Sequence, residues 1–265
     1  MKKILTVLLI SVMVLTAGCS QREINPPETE PAVSFDPEAN SEGVMTYEEF
    51  VAAKNNDEVV IEAYVQAKES WWDDKASIYA QNPAGGYFIY NMACSEEDYE
   101  KLVPGTKIKV TGTKSEYRGE TEISHGVFEI VEDGSWLAEA RDVTELLNDE
   151  AQLRECINQL VVFKGLTVTG RTDENGNEAA FQYRTDGSGS HDSNSDLYFD
   201  AVLGEKKITF MVESYLCDNT TDVYRAVENL KVGDIVDVEC FLYFQKEGDN
   251  LLNPHVTSVT VNPGE

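Results

Sequence analysis

Basic residues and histidine are scarce in this 265-residue chain. It has 21 lysines and arginines against 48 aspartates and glutamates, and three histidines. A protein binds phosphate backbones largely through lysine and arginine, so this composition argues against nucleic acid as a partner. The scattered histidines do not form a zinc motif, and we expect no metal and no cofactor. Calcium binding by the acidic loops 173–178 and 191–196 is left as an alternative, although these loops lack the ligand spacing of an EF-hand.

The chain also lacks a recognisable catalytic constellation. Ser190, His191 and Asp192 are adjacent in one loop, whereas a catalytic triad is assembled from separate elements. No pair of carboxylates stands on an apolar background that would raise a pKa. The sequence therefore predicts a binding protein rather than an enzyme, with no catalytic residue.

Closely spaced cysteines are absent too. Beyond Cys19 the chain has four, none of them in a CxxC motif: Cys94, Cys156, Cys217 and Cys240. We expect free, buried thiols, but an even count of cysteines leaves disulfide pairing open.

The first 18 residues have the pattern of a secretory signal. Lys2 and Lys3 precede a predominantly apolar run, and Thr16-Ala17-Gly18-Cys19 follows it. The run is too short to cross a hydrocarbon core of about 30 Å as a helix. Cys19 after Ala-Gly resembles the lipobox of bacterial lipoproteins, which implies lipidation of Cys19. An ordinary secreted protein is the alternative.

Residues 19–42 are predicted to form a solvated acidic tether, because they are rich in proline and acids. Removal of residues 1–18 takes away two lysines and no acid, so the formal charge changes from −27 to −29. We expect the protein at the cell membrane, on its extracytoplasmic face, held by the lipid alone.

Two segments of the chain repeat one another. The stretch KLVPGTKIKVTG (101–112) matches NLKVGDIVDVEC (229–240), and VVIEAYV (59–65) matches VVFKGLT (161–167), with Ala63 over Gly165. Landmarks in the same order indicate a tandem duplication.

Each copy has the strand order of an OB-fold. Residues 59–68 alternate between apolar and polar, as in a half-buried strand. Further strands follow, with a helix capped by Ser95 before the fourth. We predict an all-β protein with minor helix, in the form of two tandem OB-fold-like five-stranded barrels. Domain 1 spans 43–140, a helical connector spans 141–158, and domain 2 spans 159–265, with an enlarged mobile loop at 184–196.

The run YVQAKESWWDDKASIYAQNPAGGYFIYNMACSEEDYEKLVPGTKIKVTG resembles OB-fold modules of surface lipoproteins of Gram-positive anaerobes. The second domain resembles them more loosely, through VGDIVDVECFLYF and LNPHVTSVTV. This resemblance implies the fold and a surface location, and it implies no catalytic residue.

Trp71 and Trp72 stand in the predicted loop between the first two strands. Neighbours in an extended chain point to opposite faces, so one of them should lie near solvent. Tyr117 falls in the other loop that OB-folds use for ligands, and Tyr79 lies on the second strand. We predict that these four residues bind a glycan, peptide or protein, with single-stranded nucleic acid as the alternative. Trp71 or Trp72 as a plug of the barrel end is the competing interpretation.

The lipobox generates a direct prediction. Replacement of Cys19 by alanine should release the protein from the membrane fraction into the medium, because the thiol is the attachment point for lipid. Immunoblots of the two fractions measure this, and retention of the variant in the membrane would place the anchor elsewhere.

Overall fold

The computed structural model describes residues 35–172, 176, 178–247 and 250–263. Within this part of the chain no helix is long and apolar enough to cross a membrane. The strands of the first half are β1 (Glu58–Lys68), β2 (Lys75–Asn82), β3 (Gly85–Ala93), β4 (Thr106–Tyr117), β5 (Glu120–Ser135) and β6 (Arg141–Asp142). Its helices are α1 (Tyr47–Ala52), α2 (Glu96–Lys101), a 3-10 helix (Thr144–Asn148) and α3 (Glu150–Arg154).

The second half contributes the remaining elements. Its strands are β7 (Leu160–Thr169), β8 (Arg171–Thr172), β9 (Glu178–Ala179), β10 (Phe181–Tyr183), β11 (Leu197–Leu203), β12 (Lys206–Val212), β13 (Ile235–Phe241), β14 (Phe244–Glu247), β15 (Asn250–Leu252) and β16 (His255–Asn262). Its helix is α4 (Asp222–Glu228).

The two predicted barrels are confirmed. The first is closed in the order β1-β2-β3-β5-β4, and the second follows the same order with β7, β11, β12, β16 and β13. α2 lies between β3 and β4, and α4 lies between β12 and β13. In both barrels the third and fifth strands run parallel and the other neighbours are antiparallel. This is the OB-fold, repeated.

The inward face of β1 is apolar, as its alternation predicts. Val59, Ile61, Ala63 and Val65 are fully buried in the first core. Ser95 caps α2 by accepting from the backbone N–H of Asp98 at 3.1 Å. The local patterns in this half therefore agree with the tertiary structure.

Backbone contacts support the duplication and also correct its alignment. The N–H of Gly105 donates to Val65, and the N–H of Gly233 donates to Val168, with both glycines at positive φ. Ala63 pairs with Ile108 in regular register, whereas Val236, the counterpart of Ile108, pairs with Leu166.

Gly165 is therefore an extra residue in the second copy. The register of β7 against β13 shifts at this point, and Gly165 has φ +66 with open space where a Cβ would be. An extra residue in one strand is a β-bulge, which glycine accommodates at positive φ. The predicted equivalence of Ala63 and Gly165 is wrong, and Leu166 is the counterpart of Ala63.

The end of the segment predicted as a tether contacts the first barrel. The backbone N–H of Ser41 donates to Glu62 at 3.2 Å, and the ammonium of Lys107 donates to the carbonyl of Ala39 at 2.9 Å. Lys107 and Glu62 form a buried ion pair at 3.2 Å. Residues 35–41 thereby cover the polar face of β1, which would otherwise face water.

The connector 141–158 and the loop 184–196 both contact the second barrel. Val143 is buried in its core, and the 3-10 helix and α3 supply further contacts to that core. The loop 184–196, predicted to be mobile, is hydrogen-bonded to α4: His191 contacts Glu228 at 2.8 Å, and the hydroxyl of Tyr224 donates to the carbonyl of Ser195. All four cysteines after Cys19 are buried as free thiols.

Aromatic side chains join the two barrels. Tyr79 on β2 stacks on Phe241 with ring centroids 4.1 Å apart and an angle of 5° between the rings. Its hydroxyl lies 2.7 Å from Nδ1 of His255, whose ring stacks on Tyr243. Phe88 packs edge-on against Tyr243. We call this buried contact the barrel joint.

Gly86 provides a test of the packing of the first barrel against Asn158, which precedes β7. A Cβ at this position would lie 2.3 Å from the backbone carbonyl carbon and oxygen of Asn158. Gly86→Ala should therefore lower the free energy of unfolding by about 1–3 kcal/mol, because backbone cannot yield as a flexible side chain does. Denaturant melts measure this, with Ala84→Ser in the exposed turn beside it as the control. Equal stability of the two variants would contradict this packing.

Candidate functional site

A cleft of about 580 Å³ opens beside the barrel joint. We call it the aromatic cleft. It is lined by Glu69, Ser70, Trp72, Lys75, Ser77, Phe88, Tyr90, Asn91, Tyr117, Glu122, Met211, Glu213, Tyr215, Tyr243 and His255. Residues up to Glu122 come from the first barrel and the others from the second. Its exposed rings are Trp72, Tyr90, Tyr117 and Tyr215, which are 65%, 45%, 50% and 61% accessible.

The β1–β2 hairpin holds Trp72 at the cleft. Trp72 and Lys75 exchange two backbone hydrogen bonds of 3.1 and 3.0 Å, and Asp73 and Asp74 between them have φ of +51 and +55. Two residues at positive φ match a type I′ turn, whose twist suits a hairpin and which aspartate tolerates. The Lys75 ammonium lies 5.7 Å from the centroid of the Trp72 ring.

The β4–β5 hairpin holds Tyr117 in the same way. Tyr117 pairs with Glu120, and Arg118 and Gly119 between them have φ of +53 and +98. The guanidinium of Arg118 lies 5.5 Å from the centroid of the Tyr117 ring. Two tight turns therefore place a large aromatic ring and a cation at each edge of the cleft.

Tyr90 lies on β3, between the two hairpins. Ala76 pairs with Met92 and Ile78 with Ile89, so Ser77 faces both Tyr90 and Asn91 in a bulge. Bulges redirect side chains. The outer face of β2 and β3 and these two loops form the usual ligand face of an OB-fold, so the cleft lies on that face.

Tyr215, which follows β12, closes the cleft from the second barrel. Its carbonyl accepts from the backbone N–H of Ser70 at 2.7 Å and from the Ser70 hydroxyl at 3.1 Å. The Trp72 loop is therefore attached to the second barrel. The cleft needs both copies of the repeat.

Two of the four predicted ligand residues lie elsewhere. Trp71 is half-buried and its indole N–H donates to the carbonyl of Cys94 at 2.9 Å, which fixes the hairpin to the turn before α2. Tyr79 is fully buried in the barrel joint, because the second barrel covers the outer face of β2. The structure brings together only Trp72 and Tyr117 of the predicted set.

Two carboxyl groups from opposite barrels, Glu69 and Glu213, have raised pKa values in the cleft. Burial raises the pKa of Glu69 to about 7. Burial, helped by the neighbouring charges of Glu69 and Asp196, raises the pKa of Glu213 to about 8. Protonated carboxyls donate as well as accept hydrogen bonds, so each side of the cleft has a carboxyl that can do both and that carries less negative charge than an ordinary carboxylate.

His255 at the base of the cleft remains neutral. Burial lowers its pKa to about 3, so Nδ1 is free to accept from the hydroxyl of Tyr79. Sequence reasoning missed Glu69, Tyr90, Glu213, Tyr215 and His255 as members of one site. Only Glu69 has a local signal, its place beside the two tryptophans.

A second cavity, of about 1100 Å³, lies between α1, α3 and the β4–β5 hairpin. It is larger, but no strongly exposed aromatic ring lines it. Lys114 in its wall donates to three carbonyls at the C-terminal end of α1, those of Phe50, Val51 and Ala53, at 2.8 Å each. Among the residues described here, no group of three or more histidine, cysteine or acidic side chains is arranged to hold a metal ion. Most of loop 173–178 lies outside the described residues.

No protein-family model and no curated protein matches the chain. Similar solved structures include a murine DNA-binding protein bound to double-stranded DNA, with TM-score 0.37 and 13% identity over 78% of this chain and 97% of that one. The tetrameric p202 HIN2 has TM-score 0.34 and 10% identity, over 79% and 96%. A replication protein A heterotrimer bound to single-stranded DNA has TM-score 0.31 and 13% identity, over 85% and 52%.

The expectation that nucleic acid is an unlikely partner is not matched by these similar structures, which include complexes with double-stranded and with single-stranded DNA. The expectation rested on the charge of the whole chain. The charge at the cleft is a local property, and there burial reduces the ionisation of Glu69 and Glu213.

The two tryptophans should differ in their effect on stability. Trp72→Ala should change the free energy of unfolding by less than about 0.5 kcal/mol, because the side chain is mostly exposed. Trp71→Ala should lower it by about 2–4 kcal/mol, through lost burial and a lost hydrogen bond. Thermal and denaturant melts compare the variants, and a large loss in Trp72→Ala would show that this ring supports the fold.

Proposed function

We propose that the chain is a binding protein that holds an oligosaccharide in the aromatic cleft. The observation that carries this proposal is the convergence of four exposed aromatic rings on the OB-fold ligand face, which in this fold serves oligonucleotides and oligosaccharides. Exposed rings of this size are otherwise unfavourable in water, and groups of them mark interaction sites.

The polar groups of the cleft suit sugar hydroxyls. Ser77, Asn91 and the two carboxyl groups of Glu69 and Glu213 stand between the rings. Hydroxyl groups donate and accept, and so do amides and protonated carboxyls. Aromatic faces offer the apolar surface on which the C–H face of a sugar ring packs.

Binding without cleavage is part of the proposal. Acid and base roles in catalysis need two groups whose pKa values are pushed apart. Here burial raises the pKa of both Glu69 and Glu213, so the pair is not separated into an acid and a base in this way.

Single-stranded nucleic acid is the second candidate. It is favoured by the cations next to two of the rings, Lys75 beside Trp72 and Arg118 beside Tyr117. Bases stack on such rings and phosphates pair with such cations. Reduced ionisation of the two carboxyls would lessen repulsion of the strand.

We also propose that the protein is a lipoprotein on the extracytoplasmic face of the membrane. Support comes from the lipobox-like Thr16-Ala17-Gly18-Cys19, which lies outside the described residues. At this location cell-wall and surface glycans are accessible ligands.

The binding proposal predicts a selective loss in Trp72→Ala. A glycan and cell-wall-fragment array, run beside single-stranded oligonucleotides, identifies the ligand with the unlipidated Cys19→Ala form. Calorimetry should then show binding weakened by about 1–3 kcal/mol in Trp72→Ala, the scale for loss of one stacking partner. Trp136→Ala is the matched control, because Trp136 lies outside the cleft.

The salt dependence of the affinity distinguishes an oligosaccharide ligand from single-stranded nucleic acid. Phosphate contacts make affinity fall steeply with salt concentration, whereas stacking on a neutral sugar does not. Recovery of the bound glycan intact by mass spectrometry checks that it is not cleaved. Unchanged affinity in both Trp72→Ala and Tyr215→Ala would remove the cleft as the binding site.

A further inference from the structure

Glu120, the first residue of β5, is a fully buried carboxyl at the contact between the barrels. Its Oε2 accepts from the backbone N–H of Phe244 in the second barrel at 2.7 Å. Its Oε1 is also buried and has no hydrogen-bond partner. A buried carboxylate with an unpaired oxygen is costly.

Asn158, just before β7, makes the reciprocal contact. It is 2% exposed, and its Nδ2 donates to the carbonyl of Thr121 in the first barrel at 2.8 Å. Its Oδ1 is buried without a partner. Its side-chain amide is a hydrogen-bonding neighbour of the Glu120 carboxyl, so two unpaired buried oxygens stand on neighbouring side chains.

One proton satisfies both atoms. An ionised carboxylate only accepts hydrogen bonds, and so does an amide oxygen, whereas a protonated carboxyl has one O–H to donate. We propose that Glu120 is a neutral carboxylic acid that links the barrels, with Oε1–H donating to Oδ1 of Asn158 and Oε2 accepting from Phe244.

The surroundings of Glu120 favour the neutral form. The titratable groups that act on it are Tyr47 from α1, Tyr79 from β2, Tyr243 before β14, and Glu122 on its own strand. None of them brings a positive charge. Across the described part of the chain no lysine or arginine is ion-paired with Glu120. Burial is the largest cause and, with the nearby Glu122, raises its pKa well above the usual range, which outweighs the lowering effect of hydrogen bonds from Phe244, Asn158 and Thr121.

Arg154 on α3 lies beside Phe244, whose backbone N–H donates to Glu120. Its guanidinium lies 4.7 Å from the centroid of the Phe244 ring and pairs with Glu150 at 3.1 Å. Its ion pair is therefore with Glu150.

Glu120 is in this way a positioning residue for the aromatic cleft, a role that rests on the proposed function. Its two hydrogen bonds join β5 to the strand ends of the second barrel. Tyr215 and Glu213 face Trp72 and Glu69 only while the barrels keep this relation. Loss of the proton would leave a buried charge at the contact.

The sign of the pH dependence follows from linkage. A carboxyl that is neutral when folded ionises in the unfolded chain near its ordinary pKa, so stability is fully present below that value and declines as pH rises through it. One such group raises the unfolding equilibrium constant up to about tenfold per pH unit between its unfolded and folded pKa values.

Glu120→Gln is the decisive variant, because its amide keeps one donor and one acceptor in nearly the same shape. Denaturant unfolding measures the equilibrium constant for unfolding of both proteins. Between pH 5 and 7 the ratio of the wild-type constant to the Glu120→Gln constant should rise up to about tenfold per pH unit. Infrared difference spectra, wild type against Glu120→Gln at pH 7, should show a protonated carboxyl band that the variant lacks. Glu120→Ala, which leaves Phe244 N–H and Asn158 Oδ1 unpaired, should be less stable than Glu120→Gln.

An ionised carboxylate band assigned to Glu120 at pH 7, or parallel pH profiles of wild type and Glu120→Gln, would overturn the proposal. These measurements need no ligand. A protonated Glu120 together with an unaffected Trp72→Ala affinity would reject the binding function alone.

Discussion

The contact of Tyr79 with the second barrel, by stacking on Phe241 and by a hydrogen bond to His255, is the interaction on which the rest of the structure depends. It buries the outer face of β2 under the second barrel, so that two barrels become one body. Burial at this contact also removes water from Glu120 and from the carboxyls beside it. The altered pKa values of the cleft are thus a consequence of the way the two copies meet.

This contact changes what the OB-fold ligand face can bind. In a single barrel the face is an open surface between two hairpins. Here the second barrel adds Tyr215 and Glu213 as an opposite wall, and the surface becomes a cleft with aromatic rings on both sides. Both copies of the repeat therefore line the proposed binding site. Local burial also raises the pKa of Glu69 and Glu213 there, which the net charge of −27 does not reveal.

The fold was predictable because its signals are local and repeated. Alternation in β1, the Ser95 cap and the two equivalent glycine turns each follow from short-range sterics and hydrogen bonding. The alignment failed at Gly165 for a reason that is also local. One extra residue in a bulge leaves the flanking pattern almost unchanged, and only the strand register reveals it.

The candidate site was predictable in part. Trp72 and Tyr117 stand in hairpin turns, whose place on the barrel follows from the order of the strands. Tyr79 occupies an outward-facing position in the alternating pattern of β2, as an exposed residue would. Nothing beside it in the chain indicates that another barrel covers it. Tyr215 lies more than a hundred residues from Trp72, and its place in the cleft depends on how the barrels pack.

The sequence by itself determined the repeat, the strand order of each barrel and the turns that carry Trp72 and Tyr117, because hydrophobic period and turn chemistry act between near neighbours. Only the tertiary structure decided which aromatic rings remain in water, which carboxyls have raised pKa values and where the second wall of the cleft lies. Those properties depend on desolvation, and desolvation is set by surfaces that meet across long separations in the chain.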